Sequence, residues 1–200
     1  MLLGILRYKH LPDYLRAVVF LLSVTFLSEL VGRYLAYAIH NSNPVYHFYS
    51  ALELACLGGF FYKVSKVGWI KKASIVIYAG LILISCINSL YFQTFYQFNS
   101  NIDLIKMPVT FLVSAIVLIN LFFSDTEEDA SFWPRTIAII AFFWFNAASF
   151  VFYVFYNFFL NNGFEKSYLN ILHFVSNIIF YFLLFISLVV YNLKTNHAKC

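Results

Sequence analysis

Six long apolar stretches, at about 14–39, 45–63, 72–92, 104–124, 135–160 and 168–192, follow one another with few formal charges inside them. A helix needs roughly 20 apolar residues to cross the ~30 Å hydrocarbon core of a bilayer. Lipid offers no partner to an unpaired N–H or C=O, so each stretch has to be a helix that satisfies its own backbone. These constraints predict an all-α, polytopic transmembrane helical bundle of six spans, in one domain over residues 1–200. Composition agrees: the chain is 62% hydrophobic and 11% charged, where a soluble domain carries about 25% charged residues. The lipid bilayer is therefore the first expected partner.

The connections between stretches carry turn chemistry: "HNSNP" at 40–44, "NSNID" at 99–103 and "NNG" at 161–163. Their charges give a direction. Arg7, Lys9, Arg16, Lys63, Lys66, Lys71, Lys72, Arg135, Lys194 and Lys199 fall on one side if both termini share it, against Lys106 and Lys166 on the other. The positive-inside rule then places both termini in the cytoplasm and the spans in the cytoplasmic (inner) membrane. The net charge of +4 follows from this scatter at helix ends. No Lys/Arg block suggests direct nucleic-acid binding. The acidic run Asp125, Glu127, Glu128, Asp129 reads as a solvated loop.

Charges inside a span are expensive, at about 2.5–3.5 kcal/mol each at mid-bilayer on insertion scales. They are therefore the first candidates for a site. Glu29 and Arg33 are four residues apart and share a helix face, with His40 near the same face. On the second span Tyr46, Tyr49, Ser50 and Glu53 form a stripe with His47 beside it. A short hairpin makes these two helices antiparallel neighbours, so Glu29, Arg33 and Glu53 are expected to form one buried polar cluster in the outer half. Such a cluster either glues the helices together or binds a proton, ion or ligand. Further polar positions fall at helical spacing: Ser85, Asn88 and Ser89 on the third span, Asn146, Ser149, Tyr153 and Asn157 on the fifth, and Asn170, His173, Asn177 and Tyr181 on the last. His173, Asn146 and Asn177 are each either satisfied interior polar groups or part of the same working interior.

Recognised enzyme signatures are missing: there is no GxSxG, HExxH, Walker loop or GxGxxG. Cys56, Cys86 and Cys200 form no CxxC or Cys/His cluster, so neither a disulfide nor a metal is expected, and no cofactor is implied. Gly58-Gly59 marks a place where two helices can approach closely.

The segments "RYKHLPDYLRAVVFLLSVTFLSELVGRYLA", "NSNPVYHFYSALELACL", "FYQFNSN", "FW…FNAASFVFYVFYNFF" and "LNILHFVSNIIFYFLL" together resemble a group of small uncharacterised multi-pass proteins of Gram-negative bacteria. The resemblance runs over most of the chain, on Leu11-Pro12, Glu29, Asn43, His47, Tyr49, Glu53, Asn99 and the His173 region. Members of that group often look like seven-helix proteins with one more span before "RYKHLP", of which "MLLGIL" would be the remnant; the resemblance thus implies a truncated seventh span. In size and span number the chain also resembles the small membrane accessory proteins encoded beside type VI-B CRISPR ribonucleases. That resemblance implies a membrane partner that modulates an RNA-guided antiviral nuclease.

Minimal loops and absent motifs together lead to a non-enzymatic accessory, sensor or effector protein of the membrane, acting with a protein partner or as a homo-oligomer. Two other classes stay open: a small oligomeric pore or transporter, and an integral membrane enzyme acting on lipid with Glu53 and His47 or His173 as acid/base groups.

Overall fold

The computed structural model describes residues 2–97, 99–124, 131–161 and 167–197. The acidic run at 125–129, most of the "NNG" turn, Lys166 and Cys200 lie outside the described residues. Among the described residues all regular structure is helical. The order is α1 (Leu2–Leu6), a 3₁₀ turn (Tyr8–His10), α2 (Asp13–Ile39), α3 (Asn43–Val64), α4 (Gly68–Ile87) running directly into a π-helical turn (Asn88–Phe92), α5 (Ser100–Ser124), α6 (Phe132–Asn161) and α7 (Ser167–His197).

Five helices are long and apolar enough to cross a membrane: α2, α4 with its π turn, α5, α6 and α7. The sequence led us to expect six, and α3 is the one that falls short. Length is not the reason, since its 22 residues would extend about 33 Å. Tyr46, His47, Tyr49, Ser50 and Glu53 lower its mean hydropathy. The packing explains how it carries them. α3 touches α2 on one side and α4 on the other, so much of its surface meets protein.

By its internal contacts the chain divides into two compact units, residues 1–103 and 104–200. In the first, α2 turns Tyr14, Leu15, Val18, Leu21 and Gly32 inward, at the three- and four-residue spacing of a single helix face. Their counterparts on α3 include Leu54, Leu57, Phe61 and Val64, all almost fully buried. Small residues set the approach of the helices. A Cβ built on Gly32 would meet the Tyr46 hydroxyl at 3.5 Å, and one on Gly58 would lie 2.9 Å from Tyr78 Cβ. Next to that contact the rings of Phe61 and Tyr78 stack at 5.8 Å with an angle of 7°. Gly58 thus bears out the expected close approach, whereas Gly59 faces open space. At the start of α2, Arg16 donates through Nε to the Tyr8 carbonyl (3.2 Å) and through Nη2 to the Lys9 carbonyl (2.9 Å). The 3₁₀ turn is held by this fork. Lys63 at the end of α3 reaches Asp13 at 3.0 Å.

The second unit is built on an α6–α7 pair. Ser187 donates to the Pro134 carbonyl at 2.6 Å, Phe142 meets Phe180 at 5.3 Å, and Phe152 stacks on His173 at 4.6 Å. As one helix ascends the other descends, so the two run antiparallel. α5 adds Phe111 against Phe143 at 4.6 Å and continues unbroken through Pro108.

Candidate functional site

The charged residues do not form the buried cluster expected from the sequence. Glu29 and Arg33 are exposed on α2, and Glu53 is half-buried on α3. Arg33 forms an ion pair with neither carboxylate among the described residues. Glu29 instead sits 3.5 Å from the Tyr46 hydroxyl, at the outer limit of a hydrogen bond. Counting from Asp13 at the start of α2, Glu29 lies about 24 Å and Arg33 about 30 Å along the axis, toward the end of the helix that leads into the α2–α3 turn. His40 ends α2 in the left-handed region at φ 53° and is exposed; it shapes the turn into α3. Tyr49 shares a 3.0 Å hydrogen bond with Thr25, linking α2 and α3.

His47 is different. It is 3% exposed and both ring nitrogens are engaged. Nε2 lies 2.9 Å from the Gln97 carbonyl, and Nδ1 lies 2.7 Å from the Ser89 hydroxyl. A carbonyl can only accept, so Nε2 donates to it; Nδ1 accepts the Ser89 proton in the neutral ring and donates to the Ser89 oxygen in the charged one.

The Gln97 carbonyl belongs to a strap, residues 93–97 with Asn99, that folds back over the α2–α3 turn. Asn41 and Asn43 both donate from Nδ2 to the Tyr96 carbonyl, at 3.1 and 2.8 Å. Beneath the strap, Asn88 is the hub. Its Nδ2 donates to Gln93 Oε1 at 2.9 Å and to Asn99 Oδ1 at 2.8 Å, and its Oδ1 accepts from Asn101 at 3.1 Å. Asn99 passes the network to Ser50 on α3 at 3.3 Å, and Gln93 passes it to Ser100 at 3.1 Å. The π-helical turn, closed by the Gln93 N–H on the Asn88 carbonyl at 2.8 Å, lets neighbours serve two masters: Asn88 holds the strap's ends while Ser89 holds His47. Such widened turns are frequent at functional sites. The network is made of carboxamides and hydroxyls, so it needs no buried charge, and its members polarise one another in a low dielectric.

A cleft of about 190 Å³ lies between α3 and α4 beside His47 and Ser89. Phe95 of the strap borders it, edge-on to His47 at 5.3 Å and stacked on Phe48 at 5.7 Å. A serine hydroxyl on an imidazole nitrogen is the contact an activated nucleophile needs. The carboxamides that could supply an oxyanion hole nearby, those of Asn88, Asn99 and Gln93, are committed to one another and to Ser50, Ser100 and Asn101.

In the second unit the polar stripe turns back on its own helices. Asn146 donates to the Phe142 carbonyl at 2.8 Å, and Asn177 donates to the His173 carbonyl at 2.9 Å. These are four-residue back-bonds, the local option for a polar side chain inside a helix. His173 is half-buried among rings, stacked on Phe152 with Phe145 and Tyr153 each at 6.3 Å. Among the described residues no group of three or more His, Cys, Asp or Glu could hold a metal ion.

Of the residues singled out from the sequence, His47 enters the densest polar network, together with Ser50, Asn88 and Ser89 from the stripes. The strap residues Gln93, Tyr96, Gln97 and Asn101 were missed as site members. One signal was available. The tripeptide Asn-Ser-Asn occurs at 41–43 and again at 99–101; the first copy bonds the Tyr96 carbonyl of the strap and the second bonds Asn88, Gln93 and Ser50. The chain matches no protein-family model, and no curated protein and no solved structure is similar to it.

Proposed function

We propose that the protein is a non-enzymatic accessory protein of the cytoplasmic membrane, a sensor or effector, whose responsive element is the strap over the α2–α3 turn. One observation supports this most: side chains of residues 41, 43 and 47 tie down two consecutive backbone carbonyls of a loop, at 2.8–3.1 Å. A partner or ligand that competes for these hydrogen bonds frees the strap. Asn88 and Ser89 then lose their fixed partners, and the end of α4 can shift against α3. The resemblance to accessory proteins of RNA-guided antiviral nucleases supplies the partner to test. In cells carrying such a nuclease with this chain, His47→Phe and Asn43→Ala are each expected to change phage restriction, because each removes a bond that holds the strap. Restriction identical to the unaltered chain for both variants would overturn the reading.

The same proposal has α3 as a sixth span and both termini in the cytoplasm. Its support is the 22-residue length of α3 and the positive charges at Lys63, Lys66, Lys71 and Lys72. Alkaline phosphatase fused after Ser42 or after Asn99 should be active, and fused after Lys66 inactive. Equal activity at Ser42 and Lys66 would remove α3 as a span.

A further inference from the structure

The cleft between α3 and α4 has a chemistry separate from the strap's hydrogen bonds. Phe48, Ala51, Cys86, Leu90 and Phe95 supply its apolar lining. Its polar side chains are few, His47, Ser85 and Ser89: both nitrogens of His47 are bonded, one of them to the Ser89 hydroxyl, and Ser85 is 1% exposed. A charged or donor-seeking ligand would lose its hydration there without replacement. An apolar ligand would lose nothing.

The surroundings say which apolar molecule reaches it. Phe48 is 66% exposed and Leu90 69% exposed, and both border the cleft. α4 with its π turn is one of the helices apolar enough to cross a membrane, so its exposed face has lipid as solvent. Counting from Gly68 at the start of α4, Cys86 to Leu90 lie about 27–33 Å along the axis, toward the far end of the candidate span Gly68–Phe92. An apolar cavity of about 150 Å³ accommodates a benzene-sized guest. The 190 Å³ here suits a segment of one chain and excludes a whole lipid.

We infer that the cleft is a seat for one hydrocarbon chain of a bilayer lipid, bordered by Phe48 and Leu90 and by Phe95 of the strap. The inference goes beyond the function proposed above, because a chain can occupy the cleft whether or not the strap transmits anything.

The test uses the full chain in nanodiscs of phosphatidylethanolamine and phosphatidylglycerol, doped with phosphatidylethanolamine bearing a photoactivatable diazirine in its acyl tail. Crosslinks are mapped by mass spectrometry. They are expected to concentrate severalfold at Phe48, Leu90 and Phe95 over Phe20 and Leu27, which are exposed on α2 at 55% and 59%. Ala51→Trp fills the cleft and should bring that excess down to the α2 level, and the smaller Ala51→Leu should lower it in part. Labelling spread evenly over both surfaces in the unaltered chain overturns the inference without any variant. So does an excess that persists when a folded Ala51 variant fills the space.

Discussion

Replacing Asn88 with alanine or leucine is expected to lower the stability of the first unit by about 2–4 kcal/mol. Three hydrogen bonds leave with the side chain, and interhelical hydrogen bonds in membrane proteins average about 0.6 kcal/mol each. The larger part comes from what stays behind. Gln93, Asn99 and Asn101 lose partners, and a buried polar group left unpaired costs about 1–3 kcal/mol. Leucine matches the shape of asparagine, so a similar loss in both variants assigns the effect to hydrogen bonding and not to a void. Thermal unfolding of the detergent-solubilised chain measures the loss. Amide hydrogen exchange at residues 94–97 should rise in parallel. A midpoint within error of the parent would mean that the strap is held without its hub.

Gly58→Ala is expected to destabilise by about 1–3 kcal/mol, the usual range for overpacking a tight interior. The added methyl would lie 2.9 Å from Tyr78 Cβ. That atom is fixed to the α4 backbone and cannot swing aside, so the helices themselves must separate. Separation also disturbs the stacking of Phe61 on Tyr78. The neighbouring Gly59→Ala should have the opposite sign. Nothing lies within 4 Å of its added methyl, and alanine favours a helix over glycine by about 0.8–1.0 kcal/mol. The pair is read in one unfolding experiment. Equal effects at both positions would show that the α3–α4 approach is looser than the distance implies.

The helices could be read almost in full from the sequence, because apolar length is a local property of the chain. The stretch expected at 45–63 is the helix Asn43–Val64, and that expected at 135–160 is Phe132–Asn161. The polarity of α3, which keeps it out of the most apolar set, was also visible there. Its cause was not, since being flanked by α2 and α4 is a tertiary fact. The site was read less well. Glu29, Arg33 and Glu53 drew attention because a charge in hydrocarbon is costly, yet the first two are exposed on α2 and the third is half-buried on α3. The polar interior is made of groups whose individual cost is low. Asn41 and Tyr96 are 55 residues apart, and His47 and Gln97 are 50 apart. No periodicity within one helix announces such a meeting; only the repeated Asn-Ser-Asn does. In the second unit, Asn146 and Asn177 sat at the helical spacing of a shared stripe, but each answers to its own helix through a back-bond.

The hub of Asn88, Gln93, Asn99, Asn101, Ser50 and Ser100 contains no group that ionises in the physiological range. A transmembrane voltage does work only on charge, and dissolved ions screen only charge. Grip at this hub is therefore indifferent to the electrical state of the cell and to the saltiness of its surroundings. What can loosen it is another amide or hydroxyl offered in its place, or a mechanical pull on the helices that carry it.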